Sequence, residues 1–278
     1  MSNPLNKYFR QPSIHLELPS KGRWWRPGSI TIPPTGLVPI CPMTARDEIL
    51  LKTPDALMNG LAMVEIFQSC CPVIKDGWAM PKVDVDALLI GIRIASYGQN
   101  LDIDSVCPHC KNVNRFGFDL TKRLEQIKSP NFDKTLQFKD MLIKFKPNIY
   151  FNTNRENTAS YHEEKLRQVV ERSDLTNDEK IQYMTEYAKK MLDSSLLSLS
   201  TQTEFIQLDD GLKVNEHEFL KEFYDNIDGD SIRIITDFIA GLYKEVEIPP
   251  INFKCQECTK EYKSEFEFDY SNFFVRGF

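Results

Sequence analysis

Two Cys-x-x-Cys pairs, Cys107-Pro108-His109-Cys110 and Cys255-Gln256-Glu257-Cys258, constrain this chain more than any other feature. Strand-like stretches follow both: Phe116-Gly117-Phe118-Asp119 after the first, Phe266-Glu267-Phe268-Asp269 after the second. Matching half-sites point to one tetrahedral Zn²⁺ site with Cys107, Cys110, Cys255 and Cys258 as ligands. Four soft thiolates close the coordination shell and leave no position for a water or a substrate. The expected cofactor is therefore one structural Zn²⁺ per chain, a staple rather than a catalyst. The competing reading has two unrelated thiol pairs, one of them redox-active. A redox Cys-x-x-Cys normally opens a helix within a βαβ unit, whereas alternating strand residues follow each pair here. His109, between two ligands, reads as an exposed turn residue.

The half-sites bracket residues 111–254. Closing a flexible loop of that length costs roughly 4 kcal/mol, and structural zinc contributes about 10 to 16 kcal/mol in small peptides. The metal outweighs the loop, so one split site is feasible.

The chain around these pairs reads as α+β and mostly helical. Residues 1–40 form an extended N-terminal arm, with strand signals near Ser29-Ile30-Thr31-Ile32 and Leu37-Val38. Residues 41–100 form a helical core. Thr44 with Asp47 makes a capping box, Thr53-Pro54 a second helix start, and Asp84 a cap for a third, deeply buried helix ended by Gly98. Residues 101–120 and 249–278 form the split zinc ribbon. It closes a mostly helical insertion over 121–248 that carries short hairpins around Lys139-Asp140 and Asp209-Asp210-Gly211. Helices are expected at roughly 155–172, from Asn177 after the Thr176/Glu179 box, from Asn215 with Glu218 as cap, and from Ser231.

With 278 residues, 41% hydrophobic and 27% charged, the composition is that of a soluble globular protein. No run of about eighteen apolar residues is present, and the first residues show no apolar signal region. The net charge of −6 opposes binding to phosphate backbones. Seven cysteines, four at metal spacing, suit a reducing compartment. Cys41, Cys70 and Cys71 read as core residues. His15, His162 and His217 have no nucleophile at a diagnostic spacing. P-loop, Gly-x-Gly-x-x-Gly, Gly-x-Ser-x-Gly and His-Glu-x-x-His motifs are absent. An enzyme is not expected.

Two aromatic clusters offer partner contacts. Trp24 and Trp25, flanked by Arg23 and Arg26, have the composition of an interface hot spot; equally, they fold back, with strand alternation burying only one ring. Phe273 and Phe274 near the chain end either complete the ribbon core or meet a partner. The alternative function is a nucleic-acid-binding zinc ribbon, with Lys111, Arg115, Lys122 and Arg123 as its basic face.

Further segments carry a family resemblance. They are Leu18-Pro19-Ser20-Lys21-Gly22, Pro42-Met43-Thr44-Ala45-Arg46-Asp47-Glu48, Pro54-Asp55-Ala56-Leu57 with Gly60, and Ile92-Arg93-Ile94-Ala95-Ser96-Tyr97-Gly98. With the two cysteine pairs and Phe273-Phe274, they span nearly the whole chain. In this order they resemble the baseplate-protein family of T-even-like bacteriophages with contractile tails, a family of hub proteins and hub assembly factors. The resemblance implies a non-enzymatic baseplate hub component or hub assembly factor. Its partners would be other hub or tail proteins, and its location the virion tail baseplate or the host cytoplasm during assembly. It supplies no catalytic residues.

Overall fold

The computed structural model describes residues 3–53, 60–159, 161, 176–264 and 273–274. The chain divides into two units. One comprises Met1–Gly77, Val83–Ser129 and Val246–Phe278, the other Trp78–Lys82 and Pro130–Glu245. Helices and antiparallel sheets are both present, so the class is α+β.

In the first unit, β1 (Ile14–Glu17) and β2 (Leu37–Ile40) pair antiparallel, with Leu16 opposite Val38. Leu16, Val38 and Ile40 are buried. Ile40 and Leu16 reach Gly91, where an added Cβ would lie 2.6 Å from Ile40 Cδ1 and 3.5 Å from Leu16 Cδ2. Any side chain there would have to push Ile40 Cδ1 aside. Helix α1 (Ala45–Leu50) starts on the expected box: Thr44 accepts from the Asp47 amide, and the Asp47 carboxylate accepts from the Thr44 amide at 2.7 Å. Helix α2 (Leu61–Cys70) begins after Gly60 in the left-handed region and buries Ala62, Met63, Val64, Ile66, Phe67 and Cys70. The expected start at Thr53-Pro54 falls partly outside the described residues. Ile30 makes only an isolated bridge to Ile74, where a strand was expected.

Helix α3 (Lys82–Tyr97) is buried along most of Val83–Arg93, and Gly98 follows at φ 86°. Asp84 corrects the expectation of a cap. It lies inside the first turn, fully buried, and accepts from Ser20 N (2.8 Å), Ser20 Oγ (2.5 Å) and Trp25 Nε1 (2.8 Å). Burial raises its carboxyl from 3.8 to about 6 despite these bonds from Ser20 and Trp25. Two arginines act similarly. Arg10 donates to Pro42 O (2.6 Å), Ser69 O (2.7 Å) and Asp47 Oδ2 (3.2 Å), and buried Arg93 donates through Nε to Phe273 O (3.0 Å). Each satisfies carbonyls or carboxylates that would be costly to bury alone. Helix α4 (Leu120–Gln126) is capped by Asp119, which accepts from Thr121 N.

The second unit holds helices and a four-stranded antiparallel sheet whose strands follow one another in chain order. The expected hairpins form as β5 (Thr135–Phe138) with β6 (Met141–Phe145), and β7 (Thr203–Gln207) with β8 (Lys213–Val214). Lys139 and Gly211 hold left-handed turn positions. Helical turns run over 150–159; the rest of the helix expected to 172 falls largely outside the described residues. Helix α5 (Asn177–Gln202) carries the expected Thr176/Glu179 capping box and leads directly into β7. Helix α6 (His217–Asn226) is preceded by Glu216 rather than by the expected Asn215, and buries Leu220 and Tyr224 one turn apart. Helix α7 (Gly229–Lys244) is capped by Asp228 and buries Ile235, Ile239 and Leu242. The Tyr224 hydroxyl meets Thr203 Oγ1 at 2.7 Å, satisfying both inside the core.

Candidate metal centre

Each cysteine pair sits in a hairpin turn of the first unit. β3 (Asn100–Val106) pairs with β4 (Val113–Asp119), and β9 (Ile251–Lys254) with β10 (Glu261–Ser264). The two turns are closed by the same hydrogen bonds. Cys107 N–H donates to Asn112 O (2.9 Å) and Lys111 N–H to Cys107 O (2.9 Å); Cys255 N–H donates to Lys260 O (3.0 Å) and Thr259 N–H to Cys255 O (3.1 Å). Lys111 and Thr259 hold the left-handed region at φ 62° and 58°. That conformation costs a non-glycine residue about 1 to 3 kcal/mol, so something must hold both turns in it.

The four sulfurs come together, all within 4.8 Å of one another. Across the hairpins, Cys107 Sγ lies 3.7 Å from Cys258 Sγ and Cys110 Sγ 3.6 Å from Cys255 Sγ. A tetrahedron with Zn–S bonds of about 2.3 Å has edges of about 3.8 Å, so the donor set fits that ion. The separations are far too long for disulfides. Cys107 and Cys255 are buried, Cys258 half-buried and Cys110 exposed.

The electrostatics of the four thiols favour a cation among them. The Cys255 thiol is drawn down to about 6, chiefly by the Cys258 amide, against the effect of burial, with help from the Glu257 amide and the Cys110 thiol. The Cys258 thiol rises to about 11: the Lys260 amide favours its thiolate, but burial and the Cys110, Cys255 and Cys107 sulfurs oppose it. Four thiols this close cannot all ionise unless a positive ion offsets their repulsion.

Polar and aromatic contacts lock the hairpins together. Gln256 N–H donates to Asn114 Oδ1 (2.8 Å) and Gln256 Nε2 to Arg115 O (3.3 Å). The Phe116 and Phe253 rings stack at 4.3 Å, and Tyr262 OH reaches Ser105 O at 3.5 Å. Phe253 and Tyr262 pack with Cys107 and Cys255 in one buried cluster. The strand expected at Phe266–Asp269 falls outside the described residues.

The remaining candidates separate. Trp25 is buried with its Nε1 on Asp84, and Phe273 and Phe274 are buried with rings 5.1 Å apart. These three side chains are held in the chain's own core, as in the alternatives in which Trp25 folds back and Phe273 and Phe274 pack inward. Trp24 is half-buried beneath the Arg23 guanidinium, 4.5 Å from the ring centroid. One ring of the pair is therefore buried, but a turn and not a strand does it: Trp24 sits at φ 65°. The basic face also breaks up. Arg123 is buried and donates to Pro249 O (3.0 Å), and Arg115 pairs with Asp102 (3.3 Å), which leaves Lys111 and Lys122 exposed. His109 is exposed and outside the cysteine cluster.

Sequence reasoning missed Arg10, Asp84 and Arg93 as anchors, and the Asn114–Gln256 tie. Arg93 and Asp84 stand among apolar residues in a helix, a signal for a buried charge that was available. Nothing local marked Asn114 or Gln256, whose partner lies across the ribbon.

Among the described residues, no helix is long and apolar enough to cross a membrane. No curated protein and no solved structure matches the chain. The family model described as T4 bacteriophage base plate protein matches residues 11–275, and the chain belongs to that family.

Proposed function

We propose that this chain is a non-enzymatic component, or assembly factor, of the phage baseplate hub, held in shape by one structural Zn²⁺ on Cys107, Cys110, Cys255 and Cys258. The observation that carries this reading is the convergence of four thiols within 4.8 Å in a chain matched to the baseplate family from residue 11 to 275. The two cysteine pairs lie about 145 residues apart in sequence, so the ion ties distant segments into one rigid ribbon. A closed sulfur shell supplies no chemistry to a substrate. The function left to the chain is to present surfaces to other hub or tail proteins. Trp24 with Arg23, and the exposed Leu5, Tyr8 and Phe9 of the N-terminal segment, supply the contact area. Arg10, bonded to Pro42, Asp47 and Ser69, fixes the root of that segment.

The test is quantitative mass spectrometry of purified tails beside the infected-cell lysate. A fixed integer ratio to other baseplate proteins makes the chain a hub component of the virion. Abundance in the lysate with none in the tails makes it a transient assembly factor. Absence of any association with tail proteins in either fraction overturns the reading.

A further inference from the structure

The same four sulfurs differ in their access to solvent, and the difference is ordered. Each hairpin contributes one inner sulfur, Cys107 or Cys255, and one outer sulfur, Cys110 or Cys258. The thiol–thiol contacts at 3.6 and 3.7 Å both run across the hairpins, and each joins an outer sulfur to an inner one. A diffusing oxidant reaches Cys110 first, because it is exposed, and Cys255 of the opposite hairpin lies 3.6 Å from it.

Resting on the zinc reading above, we propose that the centre is also a peroxide-responsive switch whose oxidised form holds two cross-hairpin disulfides, Cys110–Cys255 and Cys107–Cys258. The oxidant is a two-electron peroxide. The Cys110 thiolate attacks one peroxide oxygen, breaking the O–O bond and giving a sulfenic acid and hydroxide. The Cys255 thiolate then attacks the sulfenic sulfur and forms the S–S bond, and the displaced hydroxide leaves as water after taking up a proton. Cys258 and Cys107 repeat the sequence with a second peroxide. Four thiolates are consumed, and the ion is released for want of donors.

Pairing within each Cys-x-x-Cys would leave the two hairpins unlinked. Cross-hairpin pairing leaves them joined, and the Gln256–Asn114 bond and the Phe116/Phe253 stack keep the sulfurs facing while the metal departs. A metal staple becomes a covalent one.

The experiment uses the full chain loaded with zinc and titrated with hydrogen peroxide. Metal release is followed with a chromogenic chelator, and disulfides are mapped by non-reducing proteolysis and mass spectrometry. Two equivalents of peroxide are expected to release one zinc and yield the Cys110–Cys255 and Cys107–Cys258 peptides. The oxidised chain should melt above the chelated, reduced chain, and a thiol reductant should abolish that difference. Disulfides within each pair, or sulfinic acids without disulfides, overturn the proposal. Chelated Cys110→Ser protein should form only Cys107–Cys258, and a Cys107–Cys255 product would also overturn it. A chain that never carries zinc defeats the zinc reading alone, because the pairing is read equally well on metal-free protein.

Discussion

The two hairpins of the metal centre have matching turns, and the residues at equivalent places differ. Two positions before the leading cysteine stands Ser105 in the first hairpin and Phe253 in the second; seven positions after it stands Asn114 in the first and Tyr262 in the second. All four are buried. At these positions the second hairpin brings rings and the first brings small polar residues that make room for them, while the first adds its own ring elsewhere, Phe116, stacked on Phe253. Asn114 takes the Gln256 amide, and the Ser105 carbonyl meets the Tyr262 hydroxyl. Two hairpins that both carried rings at these positions would overfill the space between them, and two that both carried Ser and Asn would leave no apolar core. The near-symmetry belongs to the two Cys-x-x-Cys turns, closed by the same hydrogen bonds, and the asymmetry belongs to the packing beneath them.

The broadest way to break the comparison is to remove the metal. If one ion draws on both turns equally, as proposed, Cys107→Ser and Cys255→Ser should each lose the zinc and lower Tm by similar, large amounts. Chelation of the wild type should reproduce that drop. Scanning calorimetry with metal analysis reads both quantities, and a drop from one variant alone would mean that the pairs act separately. Next in size, Phe253→Ala should destabilise the chain by about 3 to 5 kcal/mol, whereas Ser105→Ala, which keeps the carbonyl that Tyr262 reaches, should have little effect. Urea unfolding separates these cases, and equal losses would put the core on both hairpins alike.

A control away from the ribbon is the buried Asp84. Its carboxyl is raised in the folded chain from 3.8 to about 6, so the folded state holds the proton more tightly than the unfolded one. Its contribution is fully present below about 3.8 and is lost as pH rises through about 6, a swing on the order of 3 kcal/mol. The unfolding free energy of wild type minus that of Asp84→Asn should therefore fall between pH 4 and pH 6, and a rise over that window would refute the assignment. The smallest expected effect returns to the ribbon. Asn114→Ala leaves the Gln256 amide without its acceptor and should cost about 1 to 3 kcal/mol while the zinc content stays unchanged. Loss of zinc in that variant would show that Asn114 supports the metal geometry itself.

Much of the local structure was legible in the residues. The Thr44/Asp47 and Thr176/Glu179 boxes, the turn at Gly211 and the strand–turn–strand around Cys107 all form as read. Their causes lie within a few residues of one another, where capping oxygens and left-handed turn positions act. The failures share the opposite character. Asp84 read as a helix cap because an acidic residue near a helix start usually is one, but its hydrogen-bonding partners are Ser20 and Trp25, some sixty residues away. Arg123 read as part of a basic face because nothing in its neighbours announced that Pro249 would take its charge inward.

By itself, then, the chain marked the four sulfurs of the candidate metal site. Residue type and Cys-x-x-Cys spacing are covalent facts that survive any fold, and they named the four sulfurs that come together. Tertiary structure alone decided which sulfurs face each other, which are reached by solvent, which aromatic rings fill the core, and which charges are satisfied out of water. These depend on burial, and burial is set by what lands opposite a residue in space; no spacing along the chain records it.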